Sequence, residues 1–237
     1  MKTLFIAGIV CLLPIMASAQ EKIVHRLDLA AAIGESQGTI SGSAWHHWRM
    51  GKKKRLELGI GARLSTYFGN KKDFITAPAD IARGSSVPFL VVISSQETQN
   101  WDTLTVQQPG VAAINAAISL AYHFTPRWSA GANIDLVGFT IGNKSTSIFT
   151  ANGQQQTVDA SAAAFNLLLT GDLDKGSLNS EFYVNWKFRE RWSARAIYQF
   201  FFVEYKTGRA VQQIPKTNDR FRNKANMLGI GVSYYLN

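Results

Sequence analysis

The feature that most restricts what this chain can become is alternation with a period of two. Over 111–124, VAAINAAISLAYHF, the even positions read Ala112, Ile114, Ala116, Ile118, Leu120, Tyr122 and Phe124. The odd positions read Val111, Ala113, Asn115, Ala117, Ser119, Ala121 and His123. One row is apolar and ends in two aromatics; the other is small or polar. Successive side chains of a strand point to opposite faces, so this is a β-strand with one oily face. The same pattern runs through 22–34, 55–68, 128–136, 177–188, 192–203 and 223–237. The stretch 39–50, TISGSAWHHWRM, alternates poorly and is read as a strand mainly from its position. Each of these eight segments has about nine to eleven alternating residues, the length at which a tilted strand crosses a bilayer.

A soluble sandwich also alternates, so the placement of charge and aromatics decides. The rows opposite the apolar ones carry Arg26, Asp28, Arg55, Glu57, Arg63, His123, Asp135, Glu181, Lys187 and Arg195. Both signs are present in near balance. In a sandwich these charges would face water and the aromatics would be spread through the core. Here the aromatics gather at strand ends, as they do at the interfaces of a membrane barrel with a polar lumen. The expected fold is all-β: an eight-stranded antiparallel up-and-down transmembrane barrel with long outer loops. A barrel of that size is only wide enough for its own side chains to fill, so the ten residues above are expected to form an ion-paired lumen.

The turns support this. YHFTPRWSAG at 122–131 and WKFRERWSAR at 186–195 repeat an aromatic-flanked turn leading into Trp-Ser-Ala. Gly51-Lys52-Lys53-Lys54 after Trp48 is a third short turn. Trp48, Tyr122, Phe124, Trp128, Trp186, Phe188, Trp192 and Tyr234 are the expected interface aromatics at this end, taken as periplasmic. At the other end the connections are 35–38, 69–110, 143–176 and 208–222. Short turns on one side and long loops on the other is the asymmetry of outer-membrane barrels. Two apolar stretches, 87–93 and 162–169, are expected to extend strands above the membrane, with two further crossing strands, ten in all, as the alternative.

Before the first strand, Lys2, the apolar run Leu4–Ile15 and Ala17-Ser18-Ala19 read as a secretory signal peptide, 1–19, cleaved after Ala19. The barrel domain is then 20–237. The single cysteine, Cys11, falls inside the leader, so the mature chain has neither a disulfide framework nor a thiolate metal site. A formal net charge of +9 on an exported chain points to acidic lipid surfaces. No basic run is interleaved with aromatics as a nucleic-acid groove requires.

In this pattern the chain resembles the small Gram-negative outer-membrane barrels of the OmpX, OmpW and OmpA-barrel type, often grouped as porin-family proteins. The resemblance covers nearly all of 21–237. Its departure is at the last strand, where the aromatics are Tyr234 and Tyr235 rather than the final residue. The resemblance implies outer-membrane localisation, a monomer, and outer-membrane lipid and lipopolysaccharide as surroundings. The functions it implies are structural, binding, or passage of small solutes or apolar molecules. A small apolar ligand or an extracellular partner would meet loops 69–110 and 143–176. Adhesion or assembly through those loops is a further reading, and a lipid A deacylase-like enzyme is the alternative. The catalytic reading needs a serine, a histidine and a carboxylate brought together. His25, His46, His47 and His123 show no local motif for it, so no enzyme is expected. Asp172-Leu173-Asp174-Lys175-Gly176 lacks the ligand spacing of an EF-hand and reads as a turn. No metal or cofactor is implied.

Overall fold

The computed structural model describes residues 22–85, 87, 94–169 and 171–236. The expected leader, 1–19, lies outside them, as does the apolar stretch 87–93 apart from Val87. The fold is all-β and antiparallel. Long strands come first: β1 (Lys22–Gly34), β2 (Gln37–Met50) and β3 (Leu56–Gly69). Two short ones follow, β4 (Lys72–Thr76) and β5 (Thr103–Val106). Next are β6 (Gly110–His123), β7 (Trp128–Gly142), β8 (Lys144–Ala151), β9 (Gln154–Ala162) and β10 (Phe165–Leu167). The chain ends with β11 (Leu178–Lys187), β12 (Trp192–Thr207) and β13 (Arg220–Tyr235).

The pairings close a ring. It runs β1–β2–β3–β6–β7–β11–β12–β13 and returns to β1. Its outer face carries exposed hydrophobics on every strand, among them Leu29, Ile40, Ile60, Ile118, Phe139, Val184, Tyr198 and Ile230. On β1 the outward row runs from Ile23 to Ile33. That is about 33 Å along a strand, which at the usual tilt stands roughly 25 Å tall, the height of a membrane barrel's apolar band.

A second ring of pairings stands at the end with the long connections. The upper part of β12 pairs with β9, and the upper part of β13 pairs with β4. Between them run β4–β5, β5–β8 and β8–β9, while β12–β13 completes the circuit. Inside it Phe74, Leu104, Val106, Phe149, Phe201, Val203, Tyr205 and Phe221 form one buried apolar cluster. Outward it shows Thr105, Thr157, Asp159 and Lys206, the polar exterior of a water-facing sheet. The cluster also takes in Ala32, Tyr67, Val111 and Met227, inward residues at the top of the first ring.

Three details depart from the sequence reading. β7 continues past 136 to Gly142, because a bulge at Leu136 shifts the register between Ala116 and Ala117. One extra residue reverses which parity faces out, so the apolar row resumes as Val137, Phe139 and Ile141. β2 is a full strand whose inward row holds Thr39, Ser41, Trp45 and His47. Its weak alternation comes from those two bulky inward rings, and they fit because Gly61 and Gly59 stand directly opposite. A Cβ at Gly59 would lie 2.3 Å from the His47 ring, and one at Gly61 2.5 Å from that of Trp45. The stretch 162–169 contributes β10, which pairs with β7 through Phe165↔Phe139 and leaves Phe165 and Leu169 exposed.

Candidate functional site: a charged lumen below an apolar ring

The inward rows of the first ring bring together most of the charged residues expected in the lumen. Arg26 contacts Asp28 at 3.0 Å and Glu57 at 3.5 Å. Asp28 contacts Arg195 at 3.3 Å, and Arg195 contacts Glu181 at 2.8 Å. Glu181 meets Arg63 at 3.0 Å, and Arg63 meets Asp135 at 2.7 Å. The result is one chain of alternating charge, Glu57–Arg26–Asp28–Arg195–Glu181–Arg63–Asp135. Every member is buried. An unpaired ion in such a place is strongly unfavourable, so each charge is held only because its neighbours compensate it.

Further groups complete this network. Asn115 donates to Asp135 at 2.8 Å, the Asn179 N–H donates to the same carboxylate at 3.0 Å, and Arg63 donates to the Asn179 carbonyl at 3.0 Å. Tyr183 lies beneath two guanidinium groups, 5.1 Å from Arg195 and 5.7 Å from Arg26. These residues share the inward parity already visible in the sequence. Parity alone places them inward, but an uncharged side chain carries no sign of the ion pair it completes.

At the short-turn mouth, Glu57 also accepts from Arg49 at 2.8 Å and lies 2.9 Å from His123 Nε2. His47 is fully buried 3.8 Å from the same carboxylate. Lys187 ends its strand half-buried, with its ammonium 4.8 Å from the centre of the Tyr235 ring. Arg55 is the exception among the expected lumen residues. It precedes β3, is exposed in the turn, and touches the barrel through its carbonyl, which accepts the His123 N–H at 2.8 Å. The strand starts one residue later than the alternation suggested, so Arg55 falls outside the lumen.

The eight expected interface aromatics lie on the outer face at this same end. Trp128 stacks on Trp186 with centroids 6.2 Å apart, Trp192 meets Tyr234 at a tilt with centroids 4.9 Å apart, and Tyr122 meets Phe124 edge-on at 5.5 Å. Phe188 packs against Trp186 at 5.9 Å. Trp48 meets His46, which in turn meets His25, with centroids 4.6 and 4.8 Å apart. The two Trp-Ser-Ala repeats therefore begin β7 and β12 alike: Trp outward into the belt, Ser129 and Ser193 inward and buried.

Above the lumen the charged groups stand on the far side of β12 and β13 from the apolar cluster, where Glu204, Arg222 and Asp172 are buried together. Glu204 accepts from Arg220 at 2.8 Å and from Arg222 at 3.2 Å. Asp172 meets Arg83 and Lys224. Burial opposes charge on Asp172, but hydrogen bonds from Lys224 and Arg83 outweigh it and hold its carboxyl below the usual range. Burial raises Asp174, partly offset by the Leu169 N–H that it accepts. The acidic turn thus pins the connection before β11 onto β13. No group of three or more metal-ligating side chains occurs among the described residues. At the far rim, Gln99, Asn100, Asp102, Gln155 and Gln213 border an amide-rich cleft of about 330 Å³.

No protein-family model matches the chain, and no curated protein matches it. Among solved structures it is similar to the N-terminal β-barrel domain of Pseudomonas aeruginosa OprF, at 11% identity and a TM-score of 0.34, covering 92% of this chain and 100% of that one. It is similar to Neisserial surface protein A, at 10% identity and a TM-score of 0.35, covering 91% and 99%. It is also similar to Ail, the attachment invasion locus protein of Yersinia pestis, at 9% identity and a TM-score of 0.35, covering 91% and 98%. No ligand or activity passes from them to this chain.

Proposed function

We propose that this chain is a monomeric outer-membrane barrel of eight crossing strands that carries a water-facing ring above the bilayer as a binding head. It is neither a channel nor an enzyme. One observation carries the reading: polarity inverts between the two rings. The first is oily outside and charged within, the arrangement hydrocarbon demands. The second is apolar within and polar outside, the arrangement water demands. Lipid and lipopolysaccharide surround the first ring.

Two features support a closed lumen. The charge chain from Glu57 to Asp135 spans the interior, and the apolar cluster around Phe201, Phe221 and Tyr67 fills it above. The amide-rich cleft at the rim favours a hydrogen-bonding partner over a small apolar one, since its side chains are mostly Gln and Asn. Phe165 in β10 and Leu169 beyond it are exposed, and the cleft of about 490 Å³ that Ala162 to Phe165 border is shared with Lys175, Glu204, Lys206 and Arg220, a charged lining that disfavours an apolar uptake path through 162–169.

Planar-bilayer recording tests the closed lumen. Purified protein is expected to insert and give no steady current, and a steady conductance overturns it. A mature chain that stays soluble and monomeric without detergent overturns the membrane reading as a whole.

A further inference from the structure

The formal net charge of the chain, +9, is not spread over the molecule. The three short turns hold Lys52, Lys53, Lys54 and Arg55 in the first, Arg127 in the second, and Arg189 and Arg191 in the third. All seven are exposed, and Glu190 is the one carboxylate in these turns. At the opposite end, connections 35–36, 70–109, 143–177 and 208–219 hold seven Lys and Arg against nine Asp and Glu. There the charges pair, as in Arg83 with Asp172 and Lys216 with Asp80. Among the described residues no salt bridge involves any of the seven turn cations.

These cations border two clefts between neighbouring turns. One, of about 670 Å³, lies between Lys53, Lys54 and Arg55 on one side and Phe124 to Pro126 on the other. The second, of about 390 Å³, lies between Arg127 and Arg189, with Phe188 at its edge. In each, cations stand beside an outward phenylalanine of the aromatic belt, at the level where a headgroup meets its acyl chains.

We infer that this end of the barrel binds anionic glycerophospholipids of the leaflet it borders, with the lipid phosphate between the turn cations and the acyl chains against Phe124 and Phe188. The inference rests on the membrane reading above. Basic side chains at a membrane surface attract anionic lipid, and the attraction fades beyond a Debye length. The belt fixes the turns within that distance. An acidic soluble protein would meet the same charge, but it would have no use for the phenylalanine rims.

The test reconstitutes the full mature chain in nanodiscs containing equal amounts of phosphatidylglycerol and phosphatidylcholine. Lipids retained after mild release are counted by native mass spectrometry. Wild type is expected to retain phosphatidylglycerol preferentially, and the preference should shrink between 0.1 and 0.5 M salt. K53Q/K54Q/R55Q and R127Q/R189Q should each reduce it, by about fivefold per cation removed. K144Q/K206Q, at the other end, should leave it unchanged. Equal retention of both lipids by wild type overturns the inference, as does a preference that survives in both turn variants or is insensitive to salt. The salt arm needs no variant to fold. A chain that enters discs of neither composition overturns the membrane reading instead, and is recognised by its absence from the discs.

Discussion

Along β12 the inward row changes from Ser193, Arg195 and Gln199 to Phe201, Val203 and Tyr205, and the outward row changes from Trp192 and Tyr198 to Glu204, buried against Arg220 and Arg222, and exposed Lys206. β13 makes the same exchange, from Leu228 and Ile230 to half-buried Lys224 and to Arg222, which the connection before β11 covers. Both strands belong to both rings, so neither connectivity nor strand geometry accounts for the reversal. On the membrane reading proposed above, what differs is the surrounding medium. In water, removing apolar area from solvent drives side chains inward. In hydrocarbon that force vanishes, while closing every backbone hydrogen bond into a ring becomes obligatory. The interior of the first ring is then free to be polar, provided each ion is compensated. The interior of the second is not.

The two largest expected effects probe the two interiors separately. Asp135→Ala removes one of the two carboxylates that hold Arg63 in the lumen, and the acceptor of Asn115 and the Asn179 N–H, and should destabilise the barrel by about 3–5 kcal/mol. Urea unfolding in detergent micelles measures this. Phe221→Ala leaves a void in the upper core and should cost about 3–5 kcal/mol there, read as faster proteolysis of β4, β5, β8 and β9 while the membrane ring stays intact. If both substitutions unfold the whole molecule together, the rings are one cooperative unit and the contrast between them is only chemical.

Next comes the outer face. Ile118, on the outward row of β6, replaced by arginine should cost about 2–4 kcal/mol at the bilayer midplane and block folding into vesicles. Ser119→Ala, one residue on and inward, should fold normally. Equal outcomes at the two sites would break the assignment of faces. A smaller effect tests the fit inside: Gly59→Ala pushes a methyl into His47 and should cost about 1–3 kcal/mol, with His47→Ala in the same chain restoring most of it. The same unfolding assay reads both. The smallest effect is acid loosening of the connection pinned by Asp172. The pKa of this group is lowered on folding, so its stabilisation is complete above the ordinary carboxylate range near pH 4. It is lost as pH falls through the depressed value. Protease cleavage within 163–177 should rise in that window, and Asp172→Asn should remove the pH step.

Much of the first ring could be read from the chain because alternation is local. Each residue's face follows from its parity, which sets Arg26, Asp28, Glu57, Arg63, Asp135, Glu181 and Arg195 on inward rows and the aromatics of the belt on outward ones. Arg55 failed because strand ends are set by turn geometry, which parity does not report. β2 read poorly because Trp45 and His47 look wrong for a lumen until the glycines of β3 stand opposite them. β7 seemed to stop at 136 because a bulge reverses parity there.

By itself, then, the amino-acid sequence determined the strands of the first ring, which face of each is oily, and the concentration of positive charge in three short turns. Only the tertiary structure decided which carboxylate meets which guanidinium, as when Arg63 reaches Asp135 and Glu181 across 72 and 118 residues. It alone decided that the long connections close a second ring. β4 and β5 are five and four residues long, too short for periodicity to speak. Their pairings join segments far apart in the chain. The apolar side chains they bring together have no common period, and they become a core only once the upper ends of β12 and β13 hold them in a circle.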